Sequence, residues 1–344
     1  MLALVLVSLT ILILLLSKKS TPDLINIEAS NIASVCQKSG FYKNCYEQEL
    51  TKLTKKNNLF FSQEVLYKLW DIDNRTRGCH NFAHRIGLAQ VQKDPDSWNK
   101  ILGSIDPQSC SGGFFHGILE GHARFDPTFE LTKSYVESLC GNKDNKYNEG
   151  SCIHIFGHLF LVESNGDIAK ATAFCDSLTL SSSDQCYSGV FMENMTKENL
   201  SVHGLATQSN WTQASLSTFE ELCLGYEGKA ANSCWGEMGH MYAAVYNDDP
   251  QIVFDACKRA PENESSTNCY FHAVAKMSVT SDSQSNVNGI CKSYEGSTFF
   301  DTCVNRVIDA LLHASPKFYE RGENFCQSLP EESRFSCFEQ LMQN

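Results

Sequence analysis

Cys257-Lys258-Arg259-Ala260-Pro261-Glu262-Asn263-Glu264-Ser265-Ser266-Thr267-Asn268-Cys269 sets two cysteines twelve residues apart around a polar turn. Ile252-Val253-Phe254-Asp255-Ala256 leads into the first cysteine with apolar residues at helical spacing. The same unit recurs as Cys140 and Cys152, Cys175 and Cys186, Cys223 and Cys234, Cys291 and Cys303, and Cys326 and Cys337, always 11 or 12 residues apart. The first member of each pair returns after 35, 48, 34, 34 and 35 residues. A period near 34 with one insertion marks stacked supersecondary units. After the second cysteine comes another helical pattern, as in Cys303-Val304-Asn305-Arg306-Val307-Ile308-Asp309-Ala310-Leu311-Leu312. No comparable run of alternating β-branched residues occurs. The predicted fold is all-α: an α-solenoid of two-helix repeats of about 34 residues, each stapled by a disulfide across its turn. A bridge needs Cα atoms about 4.4–6.8 Å apart, which such a turn supplies.

Cys36 and Cys45 read as a shorter first staple. Cys79 and Cys110 stand where second cysteines belong, but Lys68 and Trp98 occupy the upstream positions. These two cysteines either bond each other or serve as thiolate ligands beside His80, His84 and His116.

All 16 cysteines can be paired, and no CxxC occurs among the 344 residues. Disulfides persist outside the reducing cytosol, so the bulk of the chain is expected on the extracytoplasmic or extracellular side. Met1 to Leu16 is apolar except for Ser8 and Thr10, and residues 1–17 read as an uncleaved signal anchor, hence a transmembrane attachment, with a cleaved signal peptide as the alternative. Lys18 and Lys19 follow this run instead of preceding it, against the usual charge bias. Residues 18–30 read as a short stalk and 31–344 as the repeat domain. Within that domain, 79–194 is a histidine-rich site region and 195–344 holds the C-terminal repeats. Sequons at Asn74, Asn194, Asn199, Asn210 and Asn263 permit glycosylation of an exported chain. The net charge of −12 argues against a nucleic-acid partner.

Six of the ten histidines lie between residues 80 and 158. His80 and His84 are four apart, as are His154 and His158, and Glu120 stands four residues after His116. This spacing puts both side chains on one helix face. Counted from each helix-opening cysteine at about 100° per residue, His154 and His158 fall at roughly 200° and 240°. His116 and Glu120 fall at roughly 240° and 280°, and His240 at roughly 240°. His80 and His84, at roughly 100° and 140°, lie off that line. The candidate metal ligands are therefore His80, His84, His116, Glu120, His154 and His158. Zinc, iron or copper would suit them, with Glu120 or Glu193 moving protons in a metal-dependent reaction. Packing inside the core is the competing role for these histidines. No HExxH motif is present, because Asn81 and Ile155 hold the glutamate position.

Gly113, Gly157, Gly189 and Gly239 recur early in these helices, which predicts close helix–helix approach. Met192, Met195, Met238 and Met241 flank Glu193 and His240, as copper(I) ligands or as core filler. Two alternatives to a metal enzyme follow. One is a non-catalytic scaffold binding a protein partner on the repeat surface, a role that residues 234–344 fit better because they hold fewer paired ligands, with a broad groove of scattered aromatics such as Trp235, Tyr270 and Phe271. The other is a copper-binding protein.

Over about residues 127–344 the two-helix period resembles tetratricopeptide and Sel1-like repeats, without the Trp, Tyr and Pro positions of the former. The motifs Cys79-His80-x3-His84-x2-Gly87, His116-Gly117-x2-Glu120-Gly121, Cys152-x-His154-x2-Gly157-His158 and Gly189-Val190-Phe191-Met192-Glu193-Asn194 are similar to a set in exported microbial proteins. That similarity implies no activity.

Overall fold

Five of the repeats open on a capped helix. Thr132, Asp167, Thr212, Asp249 and Ser283 each accept, through a side-chain oxygen, a backbone N–H of the first turn that follows. Such a cap satisfies a donor that the helix itself leaves unpaired. The computed structural model describes residues 21–76, 78–106, 109–110, 112–142, 149–196, 211–281, 283–314 and 318–342. Among them are eighteen α-helices and no strand, so the all-α expectation holds.

The chain divides into two compact units, 1–77 and 78–344. The first contains α1 (Thr21–Cys36), α2 (Tyr42–Lys56) and α3 (Leu59–Ile72), with Cys36 bonded to Cys45. Residues 21–30 of the expected stalk are the opening turns of α1, where Ala29 is buried. In this unit Tyr46 Oη donates to Asp73 Oδ2 at 2.7 Å. Arg75 closes on the same carboxylate at 2.6 Å.

The second unit carries the repeats. Its helices are α4 (His80–Lys93), α5 (Trp98–Leu102), α6 (Gly113–Phe125), α7 (Lys133–Cys140), α8 (Glu149–Glu163), α9 (Ile168–Ser177), α10 (Asp184–Thr196), α11 (Gln213–Leu224), α12 (Gly228–Val245), α13 (Pro250–Cys257), α14 (Asn263–Thr280), α15 (Gln284–Gly289), α16 (Phe300–Ala314), α17 (Tyr319–Ser328) and α18 (Glu331–Met342). Six staples join each outer helix to the inner helix that follows, with Cα–Cα distances of 5.4 to 5.7 Å. Cys79 bonds Cys110, so the thiolate-ligand alternative fails, and no free cysteine remains. Trp98, in the place of a missing cysteine, stacks on His122 at 3.9 Å between ring centroids. His122 is further held by the Tyr135 hydroxyl at 2.7 Å and so belongs to this aromatic cluster.

The inner helices α4, α6, α8, α10, α12, α14 and α16 pack in a row. Three neighbouring pairs are tightest: α4 with α6, α8 with α10, and α12 with α14. Glycine explains each one. A methyl group on Gly117 would overlap the His84 carbonyl oxygen, one on Gly189 that of His154, and one on Gly239 that of Cys269. Only a residue without Cβ lets backbones come this close. In α4 and α6 the contacts run His80 with Gly113, His84 with Gly117 and Val91 with Gly121, so these two helices point the same way.

Among the described residues no helix is long and apolar enough to cross a membrane. The apolar segment 1–17 and the sequons Asn199 and Asn210 lie outside those residues. Asn74 and Asn263 are exposed, and Asn194 is half-buried.

Candidate metal centre

Each glycine-locked pair sets a carboxylate of one helix against a histidine of the other. Glu120 Oε2 of α6 meets His84 Nε2 of α4 at 2.6 Å. Glu193 Oε2 of α10 meets His158 Nδ1 of α8 at 3.0 Å. Glu237 Oε1 of α12 lies 3.6 Å from His272 Nδ1 of α14. All three carboxylates are buried. A buried carboxylate away from a partner is costly, so each pair also anchors its helix contact.

Between the first and second pairs, α6 and α8 approach over a shorter stretch, and histidines fill the junction. His116, His154 and His158 each offer one nitrogen, and these nitrogens lie within 4.8 Å of one another. The Nε2 atoms of His154 and His158 are 3.1 Å apart. Two imidazoles on one tetrahedral ion, at about 2.0–2.1 Å each, hold their nitrogens about 3.3 Å apart. The observed spacing fits a shared ion. Glu193 strengthens the fit: with Nδ1–H donated to this carboxylate, His158 would offer Nε2 to an ion. The His80 ring packs edge-on against His116, with centroids 4.9 Å apart.

Charge favours the ligand form. Burial pushes His116 well below the usual imidazole range, helped by the neighbouring histidines. Burial, then His158, lowers His154 to about 3. These two imidazoles are uncharged at neutral pH, which is the form that binds metal.

A second group lies within the third tight pair, between α12 and α14. Glu237, His240 and His272 place ligand atoms within 4.8 Å of one another. His240 Nδ1 is 3.1 Å from Glu237 Oε2. Ser188 of α10 donates to Glu237 Oε1 at 2.6 Å. Burial would raise the Glu237 carboxyl, but His240 and His272 outweigh it and hold the group at about 2. Burial lowers His272 to about 4 despite the opposing pull of Glu237.

Of the predicted ligands, His116, His154 and His158 come together. His84 and Glu120 bind each other, and His80 lines the cluster through its ring. Glu193 touches the cluster through His158, whereas Glu120 is taken up by His84. Sequence reading missed Glu237 and His272, and considered residues 234–344 chiefly under the alternative of a partner-binding scaffold. Both residues stand three positions after the second cysteine of consecutive repeats. Equivalence between repeats was the signal, while spacing within one helix was the pattern followed. Trp235 and Tyr270, expected to line a groove, are each 1% exposed and belong to the core. Met195, Met238 and Met241 are buried there too.

Comparison with known proteins finds no matching family model, no similar curated protein and no similar solved structure.

Proposed function

We propose that this chain is an exported helical-repeat protein that holds a transition-metal ion on His116, His154 and His158. The carrying observation is the convergence of His154 and His158 through Nε2 at 3.1 Å while Glu193 engages the far nitrogen of His158. Imidazole donors suit zinc, copper or iron. A bound ion would supply Lewis-acid or redox chemistry. Glu193 orients His158, and the His80 ring packs against His116 beside the site. The sixteen bonded cysteines support an oxidising compartment. The apolar segment 1–17 supports membrane attachment, with exposed Asn74 and Asn263 as glycan acceptors.

Elemental mass spectrometry of the full chain, made in an oxidising compartment, tests this beside a His154→Ala/His158→Ala double variant. The expected result is bound zinc, iron or copper in the parent and one equivalent less in the variant. Equal metal content in two folded, fully bonded proteins overturns it.

A further inference from the structure

We infer that Glu237, His240 and His272 form a second metal position, one that keeps an open face to solvent. It draws one carboxylate and two imidazoles from two helices, α12 and α14, whose approach Gly239 makes possible. The donor set differs from that of the first position. Two histidines and a carboxylate suit harder divalent ions such as iron(II) or manganese(II), and also zinc, whereas copper(I) prefers sulfur donors.

The second position is the more exposed of the two. The His240 and His272 side chains keep 26% and 18% of their surface, against 2% for Glu237. In the first group His116 is 7% exposed, the His158 side chain keeps 9% of its surface, and His154 is half-buried. An ion on the second group would therefore retain a water-accessible coordination site, as catalytic metal sites do. The carboxylate is firmly placed, because Ser188 holds Oε1 from the neighbouring helix. Such an outer partner orients a ligand and tunes its metal.

The two positions are also coupled by the fold. Ser188 contacts Glu237, and the next residue, Gly189, seats the carbonyl of His154. One turn of α10 thus supports a ligand of each position. This second site stands on its own residues and does not require the first to be occupied.

Cobalt(II) titration under argon, read by visible absorption and by metal analysis, separates the outcomes. The proteins are the full-length parent, His240→Ala, His272→Gln and the His154→Ala/His158→Ala double variant. His240 is partly exposed and His272→Gln conserves volume, so both single variants should fold; far-UV circular dichroism and a thiol count verify this. The parent is expected to bind two equivalents, and every variant one. Azide should shift the spectrum of the ion remaining in the double variant and leave that in His240→Ala unchanged. Retention of the parent stoichiometry by both single variants overturns the second site. A parent with one equivalent that only the double variant loses does so as well, while upholding the first site. A parent with one equivalent lost only in the single variants upholds the second site and overturns the first. Absence of an azide response in the double variant refutes the open face.

Discussion

Gly189 seats the carbonyl oxygen of His154 where any Cβ would stand. That contact brings α8 and α10 close enough for Glu193 to reach His158. Packing and site geometry are therefore one feature, and a substitution that pushes the helices apart should damage both. Gly189→Ala is expected to lower stability by about 1–3 kcal/mol through overpacking and to weaken zinc binding as well. Gly103→Ala is the control, since its added carbon would sit 3.7 Å from the nearest atoms and should change stability by less than about 0.5 kcal/mol. Thermal melts and a chelator competition on both variants check this.

Glu193→Gln keeps an acceptor beside His158 but removes its charge. Zinc affinity at the first position should fall by about 10- to 100-fold with the fold intact. Glu120→Gln should leave that affinity nearly unchanged, because Glu120 holds His84 at 2.6 Å. Competition with a chromophoric chelator distinguishes the two, and equal losses would contradict the assignment of Glu193.

Each staple closes a short loop, and such bridges typically contribute about 2–4 kcal/mol. Replacing both Cys257 and Cys269 by serine should cost an amount in that range. Stability in a repeat array is roughly a sum over units and their interfaces, so neighbouring repeats should remain helical. Urea melts by circular dichroism measure the loss. Peptide mapping without reduction should recover the eight bridges, including Cys79–Cys110.

Asp73 makes a pH-dependent contribution to the first unit. Hydrogen bonds from Arg75, then the one from Tyr46, hold its carboxyl below the usual range against the effect of burial. A group depressed in the folded state stabilises above its unfolded pKa, about 3.9, and that stability is lost as pH falls through the folded value. Asp73→Asn should destabilise the unit at pH 7 by about 1–3 kcal/mol. The difference from the parent should shrink below about pH 4. Denaturant melts at pH 7 and pH 3 test the sign.

The repeat was legible because its marks are local. Cysteines 11 or 12 residues apart, polar turns and helical periodicity act within one unit, and the six regular staples formed as the spacing implied. The angular line through His116, His154 and His158 was also visible, since equivalent positions on stacked, similarly directed helices face the same side. His84 lies off that line by its spacing from Cys79, and the α4–α6 contact gives it to Glu120. Its partner, Glu120, is defined by the Gly117 contact.

The sequence by itself determined the helical class, the period, the cysteine pairing within repeats and the faces that carry histidine. Each follows from interactions between residues close along the chain. Only the tertiary structure decided which helices lock in pairs, and hence which carboxylate meets which histidine. It also decided that Glu237 and His272, 35 residues apart, share a site with His240 while His122 goes to Trp98. Those choices depend on the distance between backbones of different repeats, which the glycines permit and the packed row of inner helices sets.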